Sequence, residues 1–403
     1  MTKIVFHLGD KKTGSTAIQT TMASGSWQCD SVRLLYPQAH RISHIGLAKS
    51  LSGKLSAAEI GPRFQEILTE IRQVAPDVAL ISAEHFEDVD PLTLKQAVAE
   101  HMPEFAETAR FIAYVRPHAD RIASSFAERV KLGQFVNTME DFHRVLLERG
   151  RFTYTPRFTK WRDTFGAAFE LRPMIRSRLY NQDVVADLLH FVLGTEAFTI
   201  SSSPDKNESL SLEDLTMVRQ LQLLLKTGGG GKAAPMQTMV GRTLSRRMNG
   251  LDAPAGTKVQ MHRALAEQVA VAYREDAAAL DAAFFTGTPM SDALAAAPLK
   301  AIETEQSMRA EDHYSPREMY LINVWATQVA EMLQADPDYW PKIFREANRQ
   351  NVTHAAAPAP QRRGKAAGEM SKGSGKGPKG MGKGMGKGKR LNRKLAADAA
   401  GEA

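Results

Sequence analysis

An apolar strand, a glycine-containing turn and a helix follow one another without a gap at the start of the chain. Residues 4–8 form a short apolar run typical of a β-strand, and residues 17–22 suit a helix. Between them, residues 9–16 read Gly-Asp-Lys-Lys-Thr-Gly-Ser-Thr. Glycines let backbone N–H groups approach an anion closely, the helix N-terminus favours negative charge, and a lysine neutralises an oxyanion. The sequence therefore predicts an α/β fold whose first loop binds a phosphate or a sulfate.

The position of the lysine distinguishes this loop from the ATP-binding version. In that version the lysine directly follows the last glycine. Here Ser15 follows Gly14, and Lys12 precedes that glycine by two residues. The alternative is an ordinary glycine-containing strand-to-helix turn that holds no ligand. The candidate anion-binding residues of the loop are Gly9, Lys12, Thr13, Gly14, Ser15 and Thr16.

A second apolar strand also leads directly into a helix. Residues 110–115 end at Arg116, and Pro117 is predicted at the favoured first position of the helix. Ser124 follows eight residues after Arg116, with Arg121 between them. An arginine offers a forked, permanently charged set of donors, and a serine hydroxyl adds a short hydrogen bond to an oxyanion. The pair suits a second phosphate group, although each residue taken singly also suits an exposed surface.

A third strand supplies candidate acid–base groups. Residues 78–82 are a continuous apolar run, which is typical of a buried parallel strand, and they are followed by Ala83, Glu84 and His85. Ligands of open α/β sheets bind outside the carboxyl ends of the strands, so these side chains should share a crevice with the first loop. Glu84 is the candidate general base and His85 the second choice. The alternative is that Glu84 caps the next helix or orients Lys12.

Together these elements resemble the bacterial sulfotransferases that use 3′-phosphoadenosine 5′-phosphosulfate (PAPS), of the carbohydrate type. The resemblance covers residues 1–225 and implies a three-layer fold like that of the P-loop NTPases, with a central parallel sheet. It implies that Lys12 and residues 13–16 hold the 5′-phosphosulfate, while Arg116 and Ser124 hold the 3′-phosphate. It also implies sulfuryl transfer from PAPS to a hydroxyl or amine of a carbohydrate or other glycoconjugate, with no metal required.

The chain departs from this family in three places. Arg116 is followed directly by Pro117, where the family often has Arg-Asp-Pro. The Lys-Gly-rich segment that covers the adenine in cytosolic small-molecule sulfotransferases is absent, and so is the cysteine pair that closes the equivalent loop in some heparan enzymes. What covers the adenine is therefore open. Residues 227–232, Thr-Gly-Gly-Gly-Gly-Lys, are either a lid or a linker.

Two other functions fit parts of the sequence. An ATP- or GTP-dependent kinase would share the strand, loop and helix, but it needs a lysine after the loop glycine and normally an aspartate to hold Mg²⁺. Ser15 and Glu84 fit those two positions poorly. The other possibility is a non-catalytic protein that binds a polyanion through its basic C-terminal tail.

The sequence predicts three regions along the 403 residues: a core over 1–225, a helical region over 226–352 that packs on the core or binds the acceptor, and a disordered basic tail over 353–403. Helix signals occur at the end of the core and along the helical region. Ser211 precedes acidic residues in a capping pattern, residues 259–285 have apolar side chains at helical spacing, and Ser315 starts a helix expected to end near Leu333.

The tail carries most of the positive charge. Residues 361–394 contain twelve Lys or Arg and one acid, Glu369, which gives +11, so the rest of the chain sums to 7 − 11 = −4. Such a composition buries too little apolar surface to fold. Its charge can attract nucleic acid, acidic lipids or another polyanion. The alternative is a solvated tail without a partner, since it lacks the aromatic residues that stack on bases.

Composition also bounds the location of the protein. No apolar run approaches the about 18 residues that a transmembrane helix needs, and the N-terminus does not resemble a signal peptide. The single cysteine, Cys29, excludes an intramolecular disulfide and is interpreted as a buried or incidental thiol. We therefore expect a cytoplasmic protein without a transmembrane segment.

Overall fold

The apolar run before the first loop forms the middle strand of a parallel sheet. The computed structural model describes residues 2–201, 209–228, 233–251, 256–336, 339–340 and 342–344. Its strands are β1 Lys3–Leu8, β2 Trp27–Gln28, β3 Leu34–Leu35, β4 Val78–Ala83, β5 Arg110–Val115, β6 Phe169–Pro173 and β7 Thr199–Ile200. The central sheet has the order β3-β4-β1-β5-β6 with parallel neighbours, and β2 pairs antiparallel with β7. The predicted α/β fold with a central parallel sheet is confirmed.

The central strands are apolar on both sides because each side faces its own hydrophobic core. Alternate residues of β1, such as Ile4 and Phe6, enter the first core, while Val5 enters the second. In β4 and β5 the same alternation sends Ile81 into the first core and Ile112 into the second. This explains the continuous apolar runs that predicted buried parallel strands.

Helices cover both faces of the sheet. They are α1 Ser15–Ser24, α2 Ile45–Leu51, α3 Ile60–Val74, α4 Pro91–His101, α5 His118–Lys131, α6 Met139–Glu148, α7 Thr155–Phe165, α8 Val184–Leu193, α9 Leu212–Gly228, α10 Ala233–Asn249, α11 Arg263–Ala272, α12 Arg274–Phe284, α13 Pro289–Lys300 and α14 Pro316–Ala335. Helices α3, α4 and α5 contribute to the first core, and α1 and α8 to the second. Helices α11, α12 and α13 extend the first core, whereas α9, α10 and α14 share a third, smaller core.

Capping residues set several helix ends as the sequence predicts. Ser315 and Glu318 form a capping box at the start of α14, and that helix continues to Ala335, two residues beyond the expected end. Ser211 accepts a hydrogen bond from the backbone of Asp214 at 3.0 Å at the start of α9. Asp183 caps α8 and Gly194 ends it in a left-handed conformation.

Two local predictions are wrong. Pro117 is not the first residue of α5, because its ψ of 142° is extended and it precedes the helix as N-cap. The predicted helix over 259–285 is divided into α11 and α12 at Tyr273, whose φ and ψ are −110° and 10°. Tyr273 donates a side-chain hydrogen bond to the carbonyl of Arg151 at 3.1 Å, so a tertiary contact accompanies the break.

Several expectations concern residues outside this description. The described residues all lie within residues 1–357. The expected disordered tail over 353–403 and residues 229–232 of the lid or linker lie outside the described residues. Of the helices in the described ranges, none combines the length and apolar character needed to cross a membrane.

A buried polar group joins β1 to β4 in the middle of the sheet. Nδ1 of His7 lies 2.8 Å from the Ser82 hydroxyl, and these residues are register partners. The backbone N–H of Ser82 also donates to Nδ1 of His44 at 3.0 Å. Both histidines are buried, and burial lowers the pKa of each to about 4. The folded protein therefore keeps both rings neutral at neutral pH.

We expect stability to fall as the pH decreases from about 6.5 to about 4, since an unfolded histidine has a pKa of about 6.5 and binds protons that folded His7 and His44 do not. Each histidine should cost about 3 kcal/mol of unfolding free energy across this range. Urea unfolding at a series of pH values measures the slope. The His44→Asn variant should flatten it, and the same change at exposed His40 should not. An equal slope in both variants would contradict the role of His44.

Candidate functional site

The loop after β1 has two residues in the left-handed backbone region and leads directly into α1. Lys12 and Gly14 have positive φ values of 67° and 79°. The Thr13 hydroxyl donates to the Asp10 carbonyl at 2.6 Å. Gly14 is the N-cap of α1, with no capping side chain and no acidic residue in the first turn of that helix. The N-terminal N–H groups and positive dipole end of α1 therefore suit an anion.

Close packing explains both loop glycines. A Cβ atom on Gly9 would lie 2.7 Å from the Cα of Glu84, so the loop passes directly against the residues that follow β4. A Cβ atom on Gly14 would lie 2.7 Å from a side-chain methyl of Val184, in addition to the strain of its positive φ. Glycine is thus required for tertiary contact at both positions.

Lys12 is paired with a carboxylate from α5. Its Nζ atom lies 3.5 Å from Glu128, which also pairs with Lys131. Burial lowers the pKa of the Lys12 amine, and the Glu128 carboxylate opposes that shift. Both side chains are about one-third exposed, so the ion pair lies at the edge of solvent. The lysine that the sequence identified therefore has an intramolecular anion as its partner.

Arg116, one member of the second predicted anion-binding pair, contacts the same loop. The Arg116 guanidinium donates to the carbonyl of Lys12 at 3.1 Å. Ser124 is half-buried on α5, one helical turn before Glu128 and therefore on the same side of the helix. Strand β5 neighbours β1, which explains how residues separated by 104 positions come together.

The two candidate acid–base residues differ in their contacts. The Ser15 hydroxyl donates to the Glu84 carboxylate at 3.4 Å, so Glu84 lies against the start of α1. Nδ1 of His85 is 3.6 Å from the other Glu84 oxygen, and burial lowers the pKa of His85. Helix α4 is capped by Asp90 and not by Glu84. Glu84 is therefore beside the loop, with a partly exposed carboxylate.

The structure contains a buried network of ion pairs at the loop that the sequence did not predict. The Asp10 carboxylate, 1% exposed, accepts from Arg157 at 2.8 Å and from Arg121 at 3.2 Å. Burial alone would raise the pKa of Asp10, but Arg157 and Arg121 outweigh it and lower that pKa to about 2. Arg121 also reaches Glu87 at 3.3 Å, and both carboxylates accept from the backbone N–H of Lys11. Burial and then the nearby Asp10 raise the pKa of Glu87 to about 7.

The sequence contains only partial signals for this network. Asp10 directly follows the loop glycine, and Arg121 lies between the two predicted phosphate ligands. Arg157 is 147 residues from Asp10, and no local pattern connects them. The pairing of Arg157 with Asp10 can be identified only from the tertiary structure.

A cavity of about 420 Å³ lies beside α1. Its lining is mainly apolar, with polar groups from α1 and from the segment before α8. The lining residues are Ala17, Thr21, Asn181, Asp183, Val185, Ala186, Phe198 and Ile200. Two of these residues, Ala17 and Thr21, belong to α1, the helix that starts at the loop. Within the described ranges, His, Cys, Asp and Glu side chains form no group of three or more that could hold a metal ion.

We expect Glu128→Gln to strengthen anion binding at the loop, because the substitution removes the carboxylate that competes for Lys12. A gain of roughly threefold to tenfold in affinity corresponds to about 1 kcal/mol. Titration calorimetry with inorganic pyrophosphate measures it. Glu107→Gln, at an exposed position outside the site, is the matched control. Weaker or unchanged binding by the Glu128 variant would contradict the competition.

The comparisons with known proteins identify no relative. No protein-family model, no curated protein and no solved structure matches this chain. The functional conclusion therefore depends on the site itself.

Proposed function

We propose that this protein is a PAPS-dependent sulfotransferase with a three-layer fold of the P-loop NTPase type. One observation carries the proposal: the Arg116 guanidinium contacts the carbonyl of Lys12 at 3.1 Å, so a permanent cation from the residue after β5 lies next to the loop that follows β1. A nucleotide with phosphate groups at two separate positions matches two adjacent anion sites. PAPS has such groups at its 5′ and 3′ positions, and ATP carries its phosphates in one chain.

The proposed roles of the binding residues follow from this arrangement. The backbone N–H groups and hydroxyls of residues 13–16 hold the 5′-phosphate, and Lys12 neutralises the phosphosulfate. Arg116 and Ser124 hold the 3′-phosphate. The cavity beside α1 takes the adenine, since its apolar lining suits a flat base and the segment before α8 offers Asn181 and Asp183 as hydrogen-bonding groups.

The proposed reaction is a displacement at sulfur. The oxygen or nitrogen of the acceptor forms a bond to sulfur while the bond between sulfur and the bridging oxygen of the donor breaks, which releases 3′-phosphoadenosine 5′-phosphate. Lys12 stabilises the negative charge that develops on the bridging oxygen. The acceptor proton passes to the Glu84 carboxylate, which the Ser15 contact keeps beside the loop. His85, whose pKa is lowered by burial, is the alternative proton acceptor.

The kinase alternative is less consistent with the contacts of the loop. The aspartate nearest to the loop is Asp10, and its carboxylate is bound by two arginines. A magnesium ligand must instead offer free oxygens to the cation. The residue after the last loop glycine is Ser15, whose hydroxyl contacts Glu84.

We expect Arg116→Ala to weaken binding of the 3′-phosphate without a comparable loss of binding to the 5′-phosphosulfate. The variant should bind 3′-phosphoadenosine 5′-phosphate roughly 10- to 100-fold more weakly, the range for a lost charged hydrogen bond. Its affinity for adenosine 5′-phosphosulfate, which lacks the 3′-phosphate, should change less than about threefold. Titration calorimetry with both ligands and with Mg-ATP measures these differences. Equal losses for both ligands, or tighter binding of Mg-ATP by the unaltered protein, would argue against the transferase.

The Lys12→Ala variant should lower the transfer rate at least ~10²-fold, the scale of losing one group that stabilises an oxyanion. Transfer of labelled sulfate from PAPS to glycan, lipid and phenol acceptors provides the assay and identifies the acceptor class. Lys54→Ala is the control, because Lys54 is half-exposed and pairs with Asp88. Near-full activity of the Lys12 variant would refute its assignment. If no acceptor is sulfated while the full chain binds nucleic acid through its tail, the non-catalytic alternative is favoured.

A further inference from the structure

Helix α14 is apolar on its solvent-facing side as well as on the side that packs against the protein. Its packed side contributes Ala326, Ala330 and Leu333 to the third core, beside residues of α9 and α10. Five large apolar side chains of the same helix are 42% to 68% exposed, and we call them the α14 stripe: Tyr320, Leu321, Val324, Trp325 and Met332. A surface helix normally carries polar side chains at such positions, and a helix that is apolar all round is normally buried. The stripe is therefore typical of a contact surface.

The members of the α14 stripe lie on one side of the helix. Successive residues are rotated by about 100°, so relative to Arg317 the Tyr320 side chain is about 60° to one side and Trp325 about 80° to the other. The other three members lie between these two, within an arc of about 140°. The buried side chains of α14 are centred on the opposite side. Since the helix has 20 residues, the stripe extends along a cylinder about 30 Å long.

The exposed area of the stripe suits a protein interface. An aromatic side chain has roughly 200 Å² of surface, so Tyr320 at 57% and Trp325 at 68% exposure leave about 250 Å² accessible by themselves. Leu321, Val324 and Met332 add to this area. A stable dimer buries about 800 Å² on each partner, so the stripe can form the centre of a small interface. Aromatic residues and methionine are also the side chains that interface centres favour.

The rest of this chain is poorly suited to cover the stripe. Residues outside the described ranges include no Phe, Trp or Tyr. Residues 345–403, the longest of these segments, contain six large apolar side chains: Val352, Met370, Met381, Met385, Leu391 and Leu395. Four of the six lie in the part with a net charge of +11, among lysines and glycines. A folded surface on another molecule offers a much larger apolar area.

The charges beside the stripe favour a second copy of the chain. Two charged residues lie within the same arc, and they have opposite signs at opposite ends of α14. Arg317 is in the first turn, with its guanidinium over the Tyr320 ring at 5.2 Å from the ring centre, and Glu331 is near the last turn. Both are exposed, and neither forms an ion pair with another described residue. Two antiparallel α14 helices would pair these charges at both ends, whereas parallel helices would place like charges together.

We propose that two copies of this protein associate through the α14 stripe, with the two α14 helices antiparallel about a two-fold axis near Val324. Residue 324 is midway between Arg317 and Glu331, so the axis brings each arginine to the glutamate of the other copy. Trp325 lies next to the axis and packs against the other α14. A closed two-fold dimer uses the same surface on both copies and leaves neither stripe exposed. The dimer does not depend on the proposed sulfotransferase function, because α14 supplies no residue to the candidate site.

Sedimentation velocity of the full chain tests the association. Between about 1 and 200 μM, the range for an interface smaller than the standard size, we expect a shift from the monomer toward the dimer. The mass should rise from 44.3 kDa toward 2 × 44.3 = 88.6 kDa. Leu321→Gln combined with Trp325→Gln should raise the dissociation constant at least about tenfold. Val271→Gln combined with Leu299→Gln, at positions 67% and 80% exposed on α11 and α13, is the matched control and should retain the dimer.

A charge swap tests the antiparallel arrangement. Arg317→Glu alone, or Glu331→Arg alone, places like charges at both ends of the pair and should raise the dissociation constant at least about threefold. Combining the two substitutions should restore the original value within about twofold. Both changes suit the dipole of α14, with an acid at its N-terminus and a base near its C-terminus, so a loss of association would not reflect a weaker helix. Thermal melting checks that each variant folds.

Each outcome bears on the dimer separately from the enzyme. A chain that stays monomeric at about 200 μM, a dimer that the Leu321 and Trp325 substitutions leave intact, or a charge swap without rescue would overturn the proposal. A monomer that binds phosphatidylserine vesicles through Trp325 would assign the stripe to a membrane surface and would also overturn it. A dimer that depends on the stripe, in a chain that does not bind 3′-phosphoadenosine 5′-phosphate, would support the dimer and contradict only the sulfotransferase.

Discussion

The buried ion pairs of Asp10 determine the shape of the whole site. Removing a carboxylate from water costs several kcal/mol unless cations and hydrogen bonds replace the lost hydration. Asp10 obtains both from Arg121, Arg157 and the backbone N–H of Lys11. These partners come from α5, α7 and the loop itself, so the loop cannot shift without separating a buried charge from its partners. The backbone carbonyl of Asp10 also accepts a hydrogen bond from the Thr13 hydroxyl, which holds the loop at a second point.

Sheet order explains why distant parts of the sequence contribute to one site. Strand β1 lies between β4 and β5, and all three are parallel. Their carboxyl ends therefore meet at one edge, where Gly9 contacts the backbone of Glu84 and Arg116 contacts Lys12. An antiparallel arrangement would send one of these ends to the opposite edge. The absence of a side chain at Gly9 permits the residue after β1 to lie directly against Glu84, the residue after β4.

Local sequence patterns predicted the strands and several helix starts. The features that they did not predict depend on contacts between residues far apart in the sequence. The apolar runs of β1, β4 and β5 and the capping pattern at Ser315 depend on neighbours in sequence, so they could be read directly. The break at Tyr273 accompanies a contact with the carbonyl of Arg151, 122 residues away, and no local pattern indicates it. Similarly, Glu128 has the appearance of an ordinary helix-surface acid in the sequence. Its importance appears only when α5 is placed against the loop.

If the loop binds an anion as proposed, the pairing of Lys12 with Glu128 favours a highly charged ligand. The carboxylate is tethered to the protein, so its effective concentration near the lysine is high and does not depend on the solution. A monovalent ion such as chloride only replaces one negative charge by another and gains little from the exchange. A ligand with several negative charges can occupy Lys12, the helix terminus and Arg116 together, so it gains contacts that Glu128 cannot supply. The proposed anion site would then discriminate against an abundant salt ion by its valence, without a steric barrier.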